Sequence, residues 1–421
     1  REPRASSLYQ LVERFYEQVK GQWEDRFERV YGFWRGFVDD IVSRFTDCGL
    51  FEAGFARVFC DTCKSEFLVA FSCQSRSFCP SCAAKRAAIF GALLVDEILE
   101  DVPHAMWTFT LPKMLRPYFL HHRELLAKLS QAAWQTVQEL MAEVACEEAG
   151  FRPGMVAVVH TASSFLAWHP HLHAIVSRGG WTRGTWVPVP FVDMRAAELL
   201  FRHKILTMLS DEGLLSSERI ELLLSWRRTG FSVDASVKVQ TGDTKALERV
   251  ARYIVRPPLS LERLRFDSAT GEVAYYAKLG SSSTTKTEHF DPLDFLARLI
   301  MHIPEPKQHM ARFYGHYSSV ARGKRRAENT QLPGPEPEAV ADLPSAKERR
   351  RMRRSWAQMI KRVYEISPLV CPSCGAEMRI IAFIIDTDVV DEILSHLDRK
   401  GVVPGRGPPQ PFSAAAANAP S

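Results

Sequence analysis

The segment Trp168-His169-Pro170-His171-Leu172-His173-Ala174-Ile175-Val176 carries the densest chemistry in the chain. Histidines separated by one residue fit a strand that turns both imidazoles to one face and Leu172 to the other. Neutral imidazoles held side by side can bind a divalent cation. Ala174-Ile175-Val176 reads as the buried continuation of that strand. A second candidate is Tyr253, set among arginines in Arg249-Val250-Ala251-Arg252-Tyr253-Ile254-Val255-Arg256-Pro257-Pro258. At helical spacing Arg249, Tyr253 and Arg256 share a face, and Pro257 ends the helix. A phenol attacks phosphorus when nearby cations and a metal offset the developing charge. The arginines Arg249, Arg252 and Arg256 also suit a phosphate backbone. Each feature has a plainer reading, as hydrogen-bonded core histidines or an interfacial tyrosine. Their company, above all the cysteines upstream, argues for chemistry.

Three of these cysteine pairs have metal-ligand spacing: Cys60-x-x-Cys63, Cys79-x-x-Cys82 and Cys371-x-x-Cys374. The first two pairs are expected to close one tetrahedral structural Zn²⁺ site, each giving two thiolates from a tight turn. Cys73, between them, reads as a buried residue rather than a ligand. The third pair has no second pair nearby in sequence. Half a zinc ribbon, a site completed by Cys48 or a histidine, and a remnant all fit it. A third ligand for the histidine site is equally open. His160 lies on the strand expected to pair with the histidine strand and reaches the same face across the hairpin; His169 shares the alternation of His171 and His173 but lies further along.

The chain of 421 residues exceeds one ordinary core, so two or three domains are expected. Its net charge of +5 conceals basic runs at 322–326 and 347–354, which suit a polyanion or a solvated linker. Metal-type cysteine spacing and the lack of a visible signal peptide or membrane-length apolar run predict a reducing, cytoplasmic setting.

The elements that must position these groups follow from periodicity. Residues 7 to 46 read as helix with an aromatic packing stripe, stopped at Cys48-Gly49. A zinc module at 57–86 leads into a helix to about Leu99. Strands are expected at 104–110, 155–161, 171–177 and 232–239, with Arg178-Gly179-Gly180 turning the chain. Helices are expected at 121–148, 192–213, 216–228, 246–255 and 292–301, and a hairpin from 273–276 and 286–290. A Pro-containing linker, a helix near 355–364, a strand at 378–385, a helix to about Leu397 and a disordered tail from 404 complete the chain.

With those residues in place, the chain resembles the rolling-circle HUH transposases of the insertion-sequence-ninety-one type, including the related common-region elements. Tyr31-Gly32-Phe33-Trp34, Cys48-Gly49, Gly54-Phe55-Ala56-Arg57-Val58, Ala70-Phe71-Ser72-Cys73 and Phe78-Cys79-Pro80-Ser81-Cys82 resemble their zinc-binding domain. His169-Pro170-His171-Leu172-His173 resembles the HUH strand, Arg252 to Pro258 the tyrosine segment, and Phe313 to Ser319 the segment that follows the catalytic domain. The resemblance implies an α+β fold: a palm-like antiparallel sheet flanked by helices, preceded by a helical, zinc-binding module and followed by a small C-terminal α/β unit. The corresponding partition is 1–100, 101–321, a linker at 322–354, a C-terminal unit at 355–403 and a tail at 404–421. It further implies that His171 and His173 bind Mg²⁺ or Mn²⁺, with the third ligand open between His160, which strand pairing favours, His169 and a residue elsewhere, and that Tyr253 cleaves single-stranded DNA at the transposon ends, with target DNA as the second partner. The implied setting is cytoplasmic and nucleoid-associated, with no membrane.

The chain departs from this pattern in two places, one of them Ser163-Ser164, where many relatives have a glycine-containing turn. Some relatives carry two tyrosines one helical turn apart, and here the earlier position is Arg249. One cycle then needs reuse of Tyr253, another tyrosine or a second protomer, which leaves a homodimer open. Three other functions compete. A rolling-circle plasmid replication initiator would use the same chemistry. A histidine-triad-like nucleotide hydrolase would need no tyrosine. A zinc-dependent DNA-binding protein would need no catalysis.

Overall fold

The computed structural model describes residues 3–75, 77–146, 150–227, 229–278, 285–329, 370–371 and 373–399. In chain order its strands are β1 (Phe55–Cys60), β2 (Glu66–Ala70), β3 (His104–Thr110), β4 (Arg152–Ala162), β5 (Trp168–Thr182), β6 (Thr185–Pro188), β7 (Ser232–Val239), β8 (Leu264–Asp267), β9 (Glu272–Lys278), β10 (Thr285–Phe290), β11 (Ala311–Gly315) and β12 (Met378–Ile384). They form three antiparallel sheets flanked by helices, the α+β arrangement expected.

The central sheet runs β11-β4-β5-β3-β7, with β6 folded back on the end of β5. Strand alternation divides its apolar residues between two faces. Met155, Ala157, Val159, Leu172, Ala174 and Val176 point to one side and pack with Leu129, Ala133, Val137, Phe201 and Ile205. These last five come from helices Leu125–Val144 and Met194–Asp211. Val156, Val158 and Ile175 point to the other side, against Leu247, Ala251 and Ile254 of helix Thr244–Ile254. Each face is thus covered by helix, and burial of apolar surface at about 25 cal/mol per Å² is what holds the layers together. On the second face the apolar run gives way to His160, His171 and His173.

The aromatic stripe of the N-terminal helices packs as expected. Trp23 meets Trp34 edge-on at 5.1 Å, and Leu8, Leu11, Val12 and Val19 share a core with Phe295, Leu299 and Ile300 of helix Pro292–Met301 and with Val273 and Tyr275 of β9. The third sheet, β12-β1-β2, joins the zinc module to the C-terminal strand.

Several expectations are corrected. Arg178-Gly179-Gly180 does not turn: β5 runs through it to Thr182, and the chain reverses at Arg183-Gly184, both with positive φ. The glycines serve packing. A Cβ at Gly179 would lie 2.4 Å from the Val187 carbonyl oxygen, and one at Gly180 would lie 2.6 Å from the Phe151 ring. The expected 121–148 helix starts at Leu125, after a separate short helix, Arg116–His121. The first part of the expected linker, to Asn329, is helical from Ser319. The rest of the linker, the basic run 347–354, the helix near 355–364 and the tail from 404 lie outside the described residues. No helix among the described residues is long and apolar enough to cross a membrane.

Candidate active site

The site grows from the register of three strands. His160 on β4 lies directly opposite His171 on β5, and Thr108 on β3 lies opposite His173. Cross-strand partners on one face have Cβ atoms about 5 Å apart, so the pairing alone gathers the three imidazoles. One nitrogen from each of His160, His171 and His173 lies within 4.8 Å of the other two. His169 stacks beside His171 at 4.8 Å between ring centres, outside this three-donor set. Between the two third-ligand candidates, the geometry therefore brings in His160.

Hydrogen bonds fix which nitrogen each ring can offer. His160 Nε2–H donates to the Ile254 carbonyl at 2.7 Å, leaving Nδ1 with the lone pair. His171 Nδ1–H donates to the His169 carbonyl at 2.7 Å, leaving Nε2. His173 Nδ1 meets the Thr108 hydroxyl at 3.1 Å, and its buried Nε2 has no partner. An orphaned buried nitrogen costs free energy unless something binds it. A divalent cation fits that position, and partners of this kind orient metal-ligating histidines generally. Burial, reinforced by the charge of neighbouring imidazoles, holds His173 down to about 2 and His160 to about 3; burial, with Arg256 and Arg116 nearby, holds His171 to about 4. All three rings are therefore neutral at pH 7, with lone pairs free to ligate.

Tyr253 stands in the last turn of helix Thr244–Ile254. The helix buries Leu247, Ala251 and Ile254, which leaves Tyr253 at the rim, 38 % exposed and open to a substrate. Its ring meets that of His173 at 5.2 Å, nearly edge-on. Arg256, expected on the same helical face, lies beyond the helix end, and its guanidinium folds back over the Tyr253 ring at 4.2 Å. Arg249 is exposed one turn upstream of Tyr253. Arg252 is turned elsewhere: it pairs with Glu248 at 2.7 Å and packs close to Gly91. Tyr275, by contrast, is buried among apolar residues of the second core and accepts from the Ser260 amide at 3.2 Å.

Two supporting residues carried no sequence signal. Thr108 orients His173. His302 bridges the β4–β5 connection: its Nε2–H donates to the Leu166 carbonyl at 2.9 Å, and its Nδ1 accepts from the Thr161 hydroxyl at 2.9 Å. The segment from Phe313 to Ser319 serves the scaffold. Gly315 has φ +57 and its absent Cβ would lie 2.0 Å from the Pro153 carbonyl; the Tyr317 hydroxyl bonds His104 at 2.7 Å in the core.

The cysteines divide differently from the single site expected from Cys60, Cys63, Cys79 and Cys82. Cys79 and Cys82 cluster with Cys48 and Cys73, at Sγ–Sγ distances of 3.6 to 3.8 Å. Cys60 and Cys63 cluster with Cys371 and Cys374. The cause is β1 and β2, which carry the Cys60-Cys63 turn to the far end of their hairpin, away from the start of helix Pro80–Leu93 where Cys79 and Cys82 sit. Cys73, read as merely buried, and Cys48, read as a helix stop, fill the vacated positions.

A family model described as "Transposase zinc-binding domain" matches residues 18–111, and one described as "Putative transposase" matches residues 154–325. Both segments are thus similar to transposases, the first to the zinc-binding domain of the IS91 type. The chain is 26 % identical to the transposase for insertion sequence element IS801 of Pseudomonas savastanoi pv. phaseolicola, across 80 % of this chain and 82 % of that protein. It is 27 % identical to "Putative transposase y4qJ" of Sinorhizobium fredii, across 78 % and 84 %. No solved structure matches it. The zinc-binding-domain match and the two thiol clusters support structural Zn²⁺.

Proposed function

We propose that this protein is an HUH-class, tyrosine-dependent transposase that nicks and rejoins single-stranded DNA at element ends in rolling-circle transposition. What supports this reading most is the convergence of three neutral imidazole donors on a half-exposed phenol, Tyr253, itself covered by Arg256. His160, His171 and His173 would hold Mg²⁺ or Mn²⁺, which when bound polarises the scissile phosphate. An all-nitrogen protein set suits Mn²⁺ better than Mg²⁺, which prefers oxygen ligands. Tyr253 Oη forms a bond to phosphorus as the P–O3′ bond breaks. The phenol proton leaves to solvent, and the departing 3′ oxygen takes one up. The products are a 5′-phosphotyrosine and a free 3′-hydroxyl. The phosphodiester energy is conserved, so rejoining runs the same step backwards without ATP.

Arg256 offsets the charge that develops beside Tyr253, and Arg249 offers a contact to the DNA backbone. Arg252 enters this role only by leaving Glu248. With Arg249 one turn before Tyr253, a second transfer reuses Tyr253 or draws on a second protomer. The proposed substrates are single-stranded element ends and target DNA, and the proposed location is the nucleoid.

The test is a covalent-adduct assay with single-stranded oligonucleotides from the element's ends in Mn²⁺. Tyr253→Phe should abolish the adduct while DNA affinity and melting temperature hold, because one lost hydrogen bond costs about 1 kcal/mol or less. An adduct at wild-type level from Tyr253→Phe would refute the reading. It would also redirect attention to the histidine-triad alternative, which makes no use of this phenol.

A further inference from the structure

The Cys60-x-x-Cys63 and Cys371-x-x-Cys374 turns are built alike. In the first, the Cys60 carbonyl accepts from the Lys64 amide at 2.9 Å and the Cys60 amide donates to the Ser65 carbonyl at 2.9 Å. In the second, the Cys371 carbonyl accepts from the Gly375 amide at 2.8 Å and the Cys371 amide donates to the Ala376 carbonyl at 2.8 Å. The fifth residue of each turn is left-handed, Lys64 at φ +60 and Gly375 at φ +73. Two matching knuckles that face each other are how a four-thiolate ribbon is made.

The sulfurs meet across the turns. Cys60 Sγ lies 3.5 Å from Cys374 Sγ, and Cys63 Sγ lies 3.4 Å from Cys371 Sγ. Disulfide sulfurs would be about 2.05 Å apart. A zinc tetrathiolate with bonds of about 2.3 Å has sulfur–sulfur edges of about 3.8 Å, close to what is seen. β1 ends at the first knuckle and β12 begins just after the second, and these two strands pair antiparallel from Cys60↔Met378 to Phe55↔Ile384. The cysteines that meet are 308 and 314 positions apart in the chain. Neither family match extends to Cys371 or Cys374.

We propose that Cys60, Cys63, Cys371 and Cys374 hold a second Zn²⁺, and that this ion clasps the C-terminal strand β12 onto the zinc-binding hairpin. The described C-terminal segment is short, and small units of this kind need a staple beyond their own core. The apolar residues beneath the knuckles are few, chiefly Val58 and Met378. The Arg379–Asp61 ion pair at 2.9 Å is exposed and adds little. The clasp makes the C-terminal segment part of the N-terminal module, with the catalytic sheet lying between them in sequence. This inference stands independently of the tyrosine mechanism.

The experiment uses the full chain purified without chelator. Metal analysis should give about two zinc ions per chain, and Cys371→Ser with Cys374→Ser should give about one. In that variant, amide exchange across Met378–Ile384 should accelerate at least tenfold while β4 and β5 remain protected. A second measurement on the unmodified chain covers failure of the variant to fold. Cys63, Cys374 and Cys146 are all exposed. With zinc bound, iodoacetamide should label Cys146 at least tenfold faster than Cys63 and Cys374, and a chelator should abolish the difference. One zinc per chain in the wild type, equal labelling of Cys374 and Cys146, or a Cys60–Cys374 disulfide in place of metal would each overturn the proposal.

Discussion

The histidine cluster and the Cys60–Cys374 cluster are both sets of metal-type donors, and they differ in where the donors come from and in what they leave open. The histidines stand on two adjacent strands of one hairpin, joined by a short connection. Beside them a tyrosine is 38 % exposed and His173 Nε2 is unpartnered. The cysteines come from opposite ends of the chain and close on one another as four thiols. Three protein ligands with an open side suit chemistry; four that complete a tetrahedron suit structure. The contrast shows that the layout of donors, more than their identity, separates a reactive site from a staple.

The comparison breaks first at the histidines. His171→Ala with His173→Ala should lower nicking by about three decades, as expected if the metal contributes roughly 4 kcal/mol to the transition state. Binding of single-stranded DNA, which rests on arginine and lysine contacts, should change little. Undiminished nicking in Mn²⁺ would make the histidine site structural and erase the distinction. A finer cut is Thr108→Val. It removes the partner of His173 Nδ1 without touching a ligand and should weaken Mn²⁺ activation about 10- to 100-fold. A titration of nicking against Mn²⁺ reads this directly, and an unchanged midpoint would count against the orientation role.

Arg256→Ala should slow nicking by about tenfold, from loss of a cation stacked on the nucleophile, with Arg256→Lys recovering only part of the rate. A full recovery by lysine would mean that charge alone matters there. The last effect concerns the scaffold and not the chemistry. Burial holds His302 down to about 4, against an ordinary value of 6.5. Between those values the unfolded chain binds a proton that the folded chain refuses. Stability therefore falls as pH drops from about 6.5 to 4, by about 1.4 kcal/mol per pH unit from this residue. His302→Gln should flatten the pH dependence of urea unfolding by about that slope. An unaltered slope would place the proton elsewhere.

The histidine site was largely legible because its information is local. Alternation along β5 places His171 and His173 on one face, and hairpin pairing places His160 opposite. The arginine-flanked Tyr253 was legible from composition, though not the return of Arg256 from beyond the helix end, since that depends on how the chain leaves Val255. The cysteine clusters were half legible. CxxC spacing marks a knuckle but carries no record of its partner, and the pairing was decided by β12 joining β1 from residues far along the chain. Cys48 and Cys73 stand outside any CxxC turn and had no such mark. Thr108 acts through one hydrogen bond and His302 through two, which only the folded chain creates. The glycines at 179 and 180 misled because a glycine that admits a neighbour looks, in sequence, like a glycine that bends the chain.

The bond from His160 to the Ile254 carbonyl links two variables that would otherwise be free. Ile254 directly follows Tyr253 at the end of its helix, so the imidazole is tethered to the backbone that carries the phenol. At 2.7 Å, a retreat of the helix end by about 1 Å takes the pair past hydrogen-bond range. The imidazole then loses the acceptor that holds its proton on Nε2, and Nδ1 is no longer assured of its lone pair. Position of the helix is thereby converted into tautomer of a ring: the chain can register, through one proton, whether its tyrosine is in place.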